Sequence, residues 1–256
     1  MSYLIFELAG IKLAVYHKNP KLKELVKDFL SKGEPDYSLY LNYKPKISAK
    51  PNSVACKQGE YIIQYNNISL SYKPQEQRFD CELYKISRRS WVHLLTFCFF
   101  LILNEHKGHF FHSAGIVHKG KGYLFVGKKR VGKSTLAKLS GSPVINDDCN
   151  IVRIIGNSPF IYPNFLGGIL INQLPKTQLA GIIFPEQAPN NKLTKLMPIS
   201  ALKKTLSQNL FFSTNFNFSK NPFLSREFSN TFKLLNTVPS YLLRFNLEID
   251  LDRFLK

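Results

Sequence analysis

One string constrains this chain more than any other: Gly127-Lys128-Lys129-Arg130-Val131-Gly132-Lys133-Ser134 fits G-x-x-x-x-G-K-[ST] in full. It follows a short apolar run, Tyr123–Val126, with strand character. It opens a helical stretch, Lys133–Leu139, whose interior Thr135-Leu136-Ala137 suits packing on a sheet. The two glycines let the backbone turn tightly and approach an anion with no side chain in the way. The loop N–H groups and the helix start then point at phosphate. Lys133 reaches the β- and γ-phosphates of ATP, and Ser134 offers its hydroxyl to Mg²⁺. The expected nucleotide-binding set is Gly127, Lys128, Lys129, Arg130, Val131, Gly132, Lys133, Ser134 and Thr135. A basic surface turn could match the pattern by chance; the strand before and the helix after weigh against that. Arg130 either neutralises phosphate charge or is a solvated loop charge.

Two further features stand near in sequence. Asp147-Asp148 follows a β run, with Asp148 fifteen positions after Lys133. A carboxylate at the end of a strand beside such a loop holds Mg²⁺, and a pair allows one to bind metal while the other takes a proton from an attacking hydroxyl. The plain alternative is an Asn-Asp-Asp turn. His112 lies in Phe110-Phe111-His112-Ser113-Ala114-Gly115, which reads as a buried strand end. A lone His there is ordinarily structural, and its company gives it interest.

The charge is +18, from 35 Lys and Arg against 17 Asp and Glu. Such a surface attracts phosphates, acidic peptides, nucleic acid or anionic lipid. The basic residues come in short clusters without a long block, and no nucleic-acid reading motif is present. The four cysteines, Cys56, Cys81, Cys98 and Cys149, lack CxxC or metal spacing and read as reduced thiols. Met1–Gly10 is not a signal peptide. The run Trp91 to Leu103 is too short to span a bilayer comfortably and carries His93 and Thr96, so it reads as a buried helix. A cytoplasmic protein is expected, without a membrane partner.

The pattern divides at 88/89. Residues 1–88 read as a small, β-rich mixed module with strands at Tyr3–Leu8, Ile11–Tyr16, Tyr37–Tyr43, Glu60–Tyr65 and Ile68–Tyr72, and a helix over Pro20–Ser31. A helix follows over Ser90–Glu105, with Ser90 as its cap and Gly108 just past its end. Beyond it, strands are expected at Phe110–Val117, Tyr123–Val126, Val144-Ile145, Ile151–Ile155, Leu179–Phe184 and Tyr241–Phe245. Helices are expected at Pro198–Ser207, Ser225–Leu235 and Glu248–Leu255, and a loop over Pro159–Pro175 centred on Gly167-Gly168. Alternating strands and helices argue for α/β.

The loop, His112 twenty-one positions before Lys133, and the Asp pair together resemble the HPr kinase family, akin to phosphoenolpyruvate carboxykinase. Leu179–Gln187 is similar to a strand ending in a Glu-Gln turn in the HPr-kinase-like proteins of peptide-modification clusters. Val238–Arg244 is similar to their C-terminal strand. The resemblance implies a P-loop kinase domain of the HPr kinase/PEP carboxykinase type over 89–256, preceded by the small α+β module. It implies catalytic roles for Lys133, Asp148 as proton acceptor and His112 beside the transferring phosphoryl group, with Asp147 and Ser134 on Mg²⁺. The implied acceptor is a hydroxyl, serine in such families, on a peptide or protein. The chain departs in two ways. The stretch from Lys133 to the Asp pair is about three residues shorter, most of a helical turn. No Glu-Ile-Arg-Gly-like acidic signature follows, Glu186 being the weak substitute. A nucleotide-binding scaffold in a peptide-maturation complex and a small-molecule kinase stay open, as does an oligomeric state.

Overall fold

A computed structural model describes residues 3–17, 21–44, 52–84, 87–166, 174–207 and 222–255. The chain is a mixed α/β protein with two sheets. It divides into two compact units, residues 1–102 with 215–224, and residues 103–214 with 225–256. The 88/89 boundary expected from sequence coincides with the start of the long helix, whereas the units divide inside that helix.

In the first unit the elements are β1 (Tyr3–Leu8), β2 (Ile11–Tyr16), α1 (Lys21–Leu25), β3 (Tyr37–Tyr43), β4 (Ser53–Lys57), β5 (Glu60–Tyr65), β6 (Ile68–Lys73), β7 (Arg78–Leu83) and α2 (Arg88–Glu105). The strands form one sheet in the order β1-β2-β3-β7-β6-β5-β4. Alternation places Leu39, Leu41, Leu70, Tyr72, Phe79 and Cys81 on a buried face. Trp91, Leu94, Leu95, Cys98, Phe99 and Ile102 of α2 are buried as well, and Phe99 meets Phe6 at 5.9 Å between ring centroids. Three expectations change. Pro20–Ser31 yields only α1 and a 3₁₀ turn, Lys27–Phe29, with Pro20 outside the described residues. β4 and β7 were not anticipated. The cap of α2 is Ser87, whose Oγ accepts from the Ser90 N–H at 3.1 Å, so Ser90 lies inside the first turn.

The second unit contains β8 (Gly108–His118), β9 (Lys121–Val126), α3 (Lys133–Leu139), β10 (Val144–Asn146), β11 (Cys149–Ile155), β12 (Ser158–Tyr162), β13 (Thr177–Gln187), β14 (Lys192–Leu196), α4 (Pro198–Leu206), α5 (Pro222–Thr237) from Ser225 onward, and β15 (Ser240–Phe245). Their sheet runs β10-β8-β11-β12-β13-β15-β14, and β9 pairs with both β8 and β13. β9 and β15 are each parallel to β13, so their C-terminal ends point the same way. Ligands of open α/β sheets bind outside such ends. β8 runs antiparallel to β9, with Ser113 opposite Val126, and β11 runs antiparallel to β8, with Cys149 opposite His112. The end of β9, the middle of β8 and the start of β11 therefore converge.

Both faces of this sheet are covered, which is why β9 reads as an unbroken apolar run. Leu124 and Val126 join one core with Ala201, Leu202, Leu234 and Leu235, from α4 and α5. Tyr123 and Phe125 join another with Leu136 and Ala137 from α3, and with Leu243 and Phe245 from β15. Burying a side chain such as Phe125 contributes about 1.5–3 kcal/mol. On α5, buried Glu227 accepts from Asn104 Nδ2 at 2.9 Å and meets His109 Nδ1 at 3.3 Å, which anchors the helix to the head of β8.

Three expectations change in this unit. The Pro159–Pro175 loop begins with strand β12, and its Gly167-Gly168 centre lies outside the described residues. β14 was unforeseen. The helix over Glu248–Leu255 reduces to a 3₁₀ turn, Leu251–Arg253, where the Asp250 carboxylate accepts from the Asp252 N–H. Gly108 does lie just past the end of α2, while Lys107 takes the left-handed conformation there (φ 54°). Gly108 begins β8, where a Cβ would stand 2.6 Å from Leu103 Cδ2.

Candidate functional site

The loop after β9 owes its shape to two left-handed residues, Arg130 (φ 68°) and Gly132 (φ 104°). Only glycine reaches the second value without strain. A Cβ on Gly132 would also come within 2.6 Å of Phe245 Cζ, at the end of β15. The Gly132 carbonyl accepts from the Leu136 N–H at 2.9 Å, which starts α3. Lys133 is buried, 7% exposed. Its Nζ donates to Gly127 O at 2.7 Å and Lys128 O at 3.0 Å, and lies 3.3 Å from His112 Nε2. Burial pushes the Lys133 pKa down, and the nearby Asp148 charge opposes that. Lys128, Lys129, Arg130, Ser134 and Thr135 are exposed, while Val131 is half-buried.

The Asp turn is held from below. Asn146 Oδ1 accepts from the N–H groups of both Asp148 and Cys149 at 2.9 Å, closing the turn around its own side chain. Asn150 Nδ2 donates to Ser113 O at 2.7 Å and Asn146 O at 3.1 Å, tying β11 to β8 and β10. Asn164 Nδ2 donates to Cys149 O at 3.0 Å, while its Oδ1 accepts from the Leu166 N–H. All three asparagines are fully buried. Gly115 makes room for Asn150, since a Cβ there would fall on its Oδ1. Sequence reasoning took Asn146 only as a turn residue and missed Asn150 and Asn164. The available signal was an amide where the strand pattern asks for an apolar side chain.

His112 joins the two halves. Its Nδ1 lies 3.1 Å from both Asp148 Oδ1 and Asp148 O, and its Nε2 faces Lys133 Nζ. A lysine ammonium has donors only, so His112 Nε2 accepts and Nδ1–H donates to Asp148. The structure thus brings Lys133, His112 and Asp148 into one chain of contacts. The hydrogen bond from His112, helped by the Lys133 and Lys129 charges, holds the Asp148 carboxyl below its usual range against the opposing effect of burial. Asp147 sits half-buried on the same turn. Glu186, at the end of β13, is paired instead with Arg244 at 3.1 Å.

The Asp148 pairing has a stability consequence. With its folded pKa below the ordinary 3.8, Asp148 binds fewer protons in the folded than in the unfolded chain between those two values. The stabilisation is therefore fully present above about pH 4 and is lost as pH falls through the lowered pKa. Asp148→Asn should flatten the acid limb of melting temperature against pH. An unchanged limb would mean that the His112 contact does not hold the carboxylate in solution.

No family model matches the chain, and no curated protein matches it. Among solved structures it is similar to the HPr(Ser) kinase/phosphatase from Coxiella burnetii, with 12% identity and a TM-score of 0.30, over 55% of this chain and 87% of that one. No helix among the described residues is long and apolar enough to cross a membrane.

Proposed function

We propose that this protein is an ATP-dependent kinase that transfers a phosphoryl group to a hydroxyl, serine first among candidates, on a peptide or protein. The observation that carries the reading is the convergence of Lys133, His112 and Asp148 beside a glycine loop, at the end of the sheet where parallel strands finish. The residues fit a nucleotide–metal pair. Gly132 adds no side chain to the loop, and Lys133 Nζ is held by neutral carbonyls that phosphate oxygens can replace. Among the described residues no cluster of three acidic, His or Cys side chains could hold a metal alone. That suits Mg²⁺, which takes one or two protein oxygens and completes its shell with water and phosphate. Ser134 and Asp147 are the candidates, and the ion would neutralise charge on the β- and γ-phosphates.

In this reading Lys133 and the loop amides bind the triphosphate. The acceptor hydroxyl oxygen bonds to the terminal phosphorus as the bond to ADP breaks, and its proton passes to Asp148. A carboxylate held ionised is a weak base, which suits a loose transition state needing orientation more than proton abstraction. His112 fixes that carboxylate through Nδ1–H.

A scaffold that binds nucleotide without transfer is favoured by two features: α3 has only seven residues, and Glu186 is committed to Arg244. The readings separate when γ-labelled ATP and Mg²⁺ are supplied with serine-containing peptides or with small hydroxyl metabolites. Label on a peptide supports the proposal. Label on a metabolite makes the protein a small-molecule kinase. Bound ATP without transfer leaves the scaffold.

A further inference from the structure

At the opposite end of β15 lies a groove of about 620 Å³, lined by the end of β14, the start of α4, the last turn of α5 and Ser240. Four observations mark it. Ser240, 2% exposed, lines it with an Oγ that has no hydrogen-bond partner among the described residues. Met197 at its rim is 71% exposed, with Ile199 and Phe232 exposed on the two helices beside it. The surrounding charge has one sign. Lys195 lines the groove, and Lys233 stands one turn before Thr237 of its lining on α5. β14, α4 and β15 carry no Asp or Glu, and the acidic residue of α5, Glu227, is buried against His109. β14 also pairs with β15 alone among the described strands, which leaves a sheet edge beside the groove.

We propose that this groove docks an extended acidic peptide segment with apolar anchors, belonging to the protein that carries the acceptor hydroxyl. Apolar side chains would enter beside Met197, whose flexible thioether adapts to varied shapes. Carboxylates would meet Lys195 and Lys233, and the strand edge offers backbone hydrogen bonds. A second copy of this +18 chain is the poorer occupant, because it brings positive charge to a basic rim. Ser240 and Phe245 are the ends of β15, so the groove lies about 17 Å from the loop, at about 3.3 Å per residue. Docking and acceptor segments would be separated accordingly. That the segment belongs to the acceptor rests on the kinase reading; the preference for an acidic peptide does not.

The test measures fluorescence anisotropy on the full chain without nucleotide, so it is independent of ATP binding. The probes are a short labelled peptide alternating Glu and Leu, its Lys-for-Glu counterpart and its Ser-for-Leu counterpart. The first should bind, and the other two should bind roughly tenfold more weakly or worse. Lys195→Glu/Lys233→Glu and, separately, Met197→Asp should each weaken binding roughly tenfold, while Lys32→Glu/Lys57→Glu on the first unit changes it less than about twofold. Equal losses from both charge reversals would reduce the effect to net charge and overturn the proposal. So would tight binding of the Ser-for-Leu peptide, or a dimer that Met197→Asp dissolves.

Discussion

Gly132→Ala is expected to lower stability by roughly 2–4 kcal/mol and to abolish nucleotide binding. Two costs add. The backbone at φ 104° is one that L side chains rarely adopt, and the new Cβ would drive into Phe245 Cζ. Phe245 is 1% exposed and sits in a packed core, so the ring has little room to yield. Gly141→Ala separates the costs, because Gly141 is also left-handed (φ 60°) but has open space where a Cβ would go. It should cost about 1 kcal/mol. Urea midpoints for both variants check this. Equal losses would mean that the Phe245 contact contributes nothing. Pairing Gly132→Ala with Phe245→Leu should give less than the sum of the single losses, because the smaller side chain relieves the clash.

Asp148→Asn is expected to reduce phosphoryl transfer about 10²–10⁴-fold while leaving ATP binding in place. The amide oxygen can still accept from His112 Nδ1–H, so the turn keeps its geometry. It cannot take up the acceptor's proton or carry the charge that orients it. Asp148→Ala should lose the same activity and also the anchor of His112. Transfer within about tenfold of wild type in the Asn variant would remove Asp148 as proton acceptor.

The glycine loop was legible because its signals are local: an apolar run, two glycines and a helix start lie within one continuous stretch. The contact of His112 with Asp148 was not legible from spacing. It comes from the antiparallel register of β8 and β11, which sets Cys149 opposite His112. Sequence resemblance suggested that these residues act together; long-range pairing brings them together. Asn150 left one local mark, an amide inside an apolar strand run, whereas Asn164 lies outside the strands and bonds Cys149, fifteen positions away in sequence. In Glu248–Leu255 the spacing of Ile249, Leu251 and Leu255 imitates a helix. Those side chains are buried, but only a 3₁₀ turn forms, closed by Asp250. β14, with its exposed lysines at a sheet edge, has the polar composition of a loop.

The central claim, that the loop from Gly127 to Ser134 grips the phosphates of ATP, is tested most directly by thermal and urea stability with ATP and Mg²⁺, beside Lys133→Met. That variant keeps most of the buried stem and removes the ammonium. Ligand at about 100 times its Kd should stabilise the wild-type chain by roughly 2.7 kcal/mol, and the gain should vanish in the variant. No gain in the wild-type chain, or the same gain in both, would contradict the account.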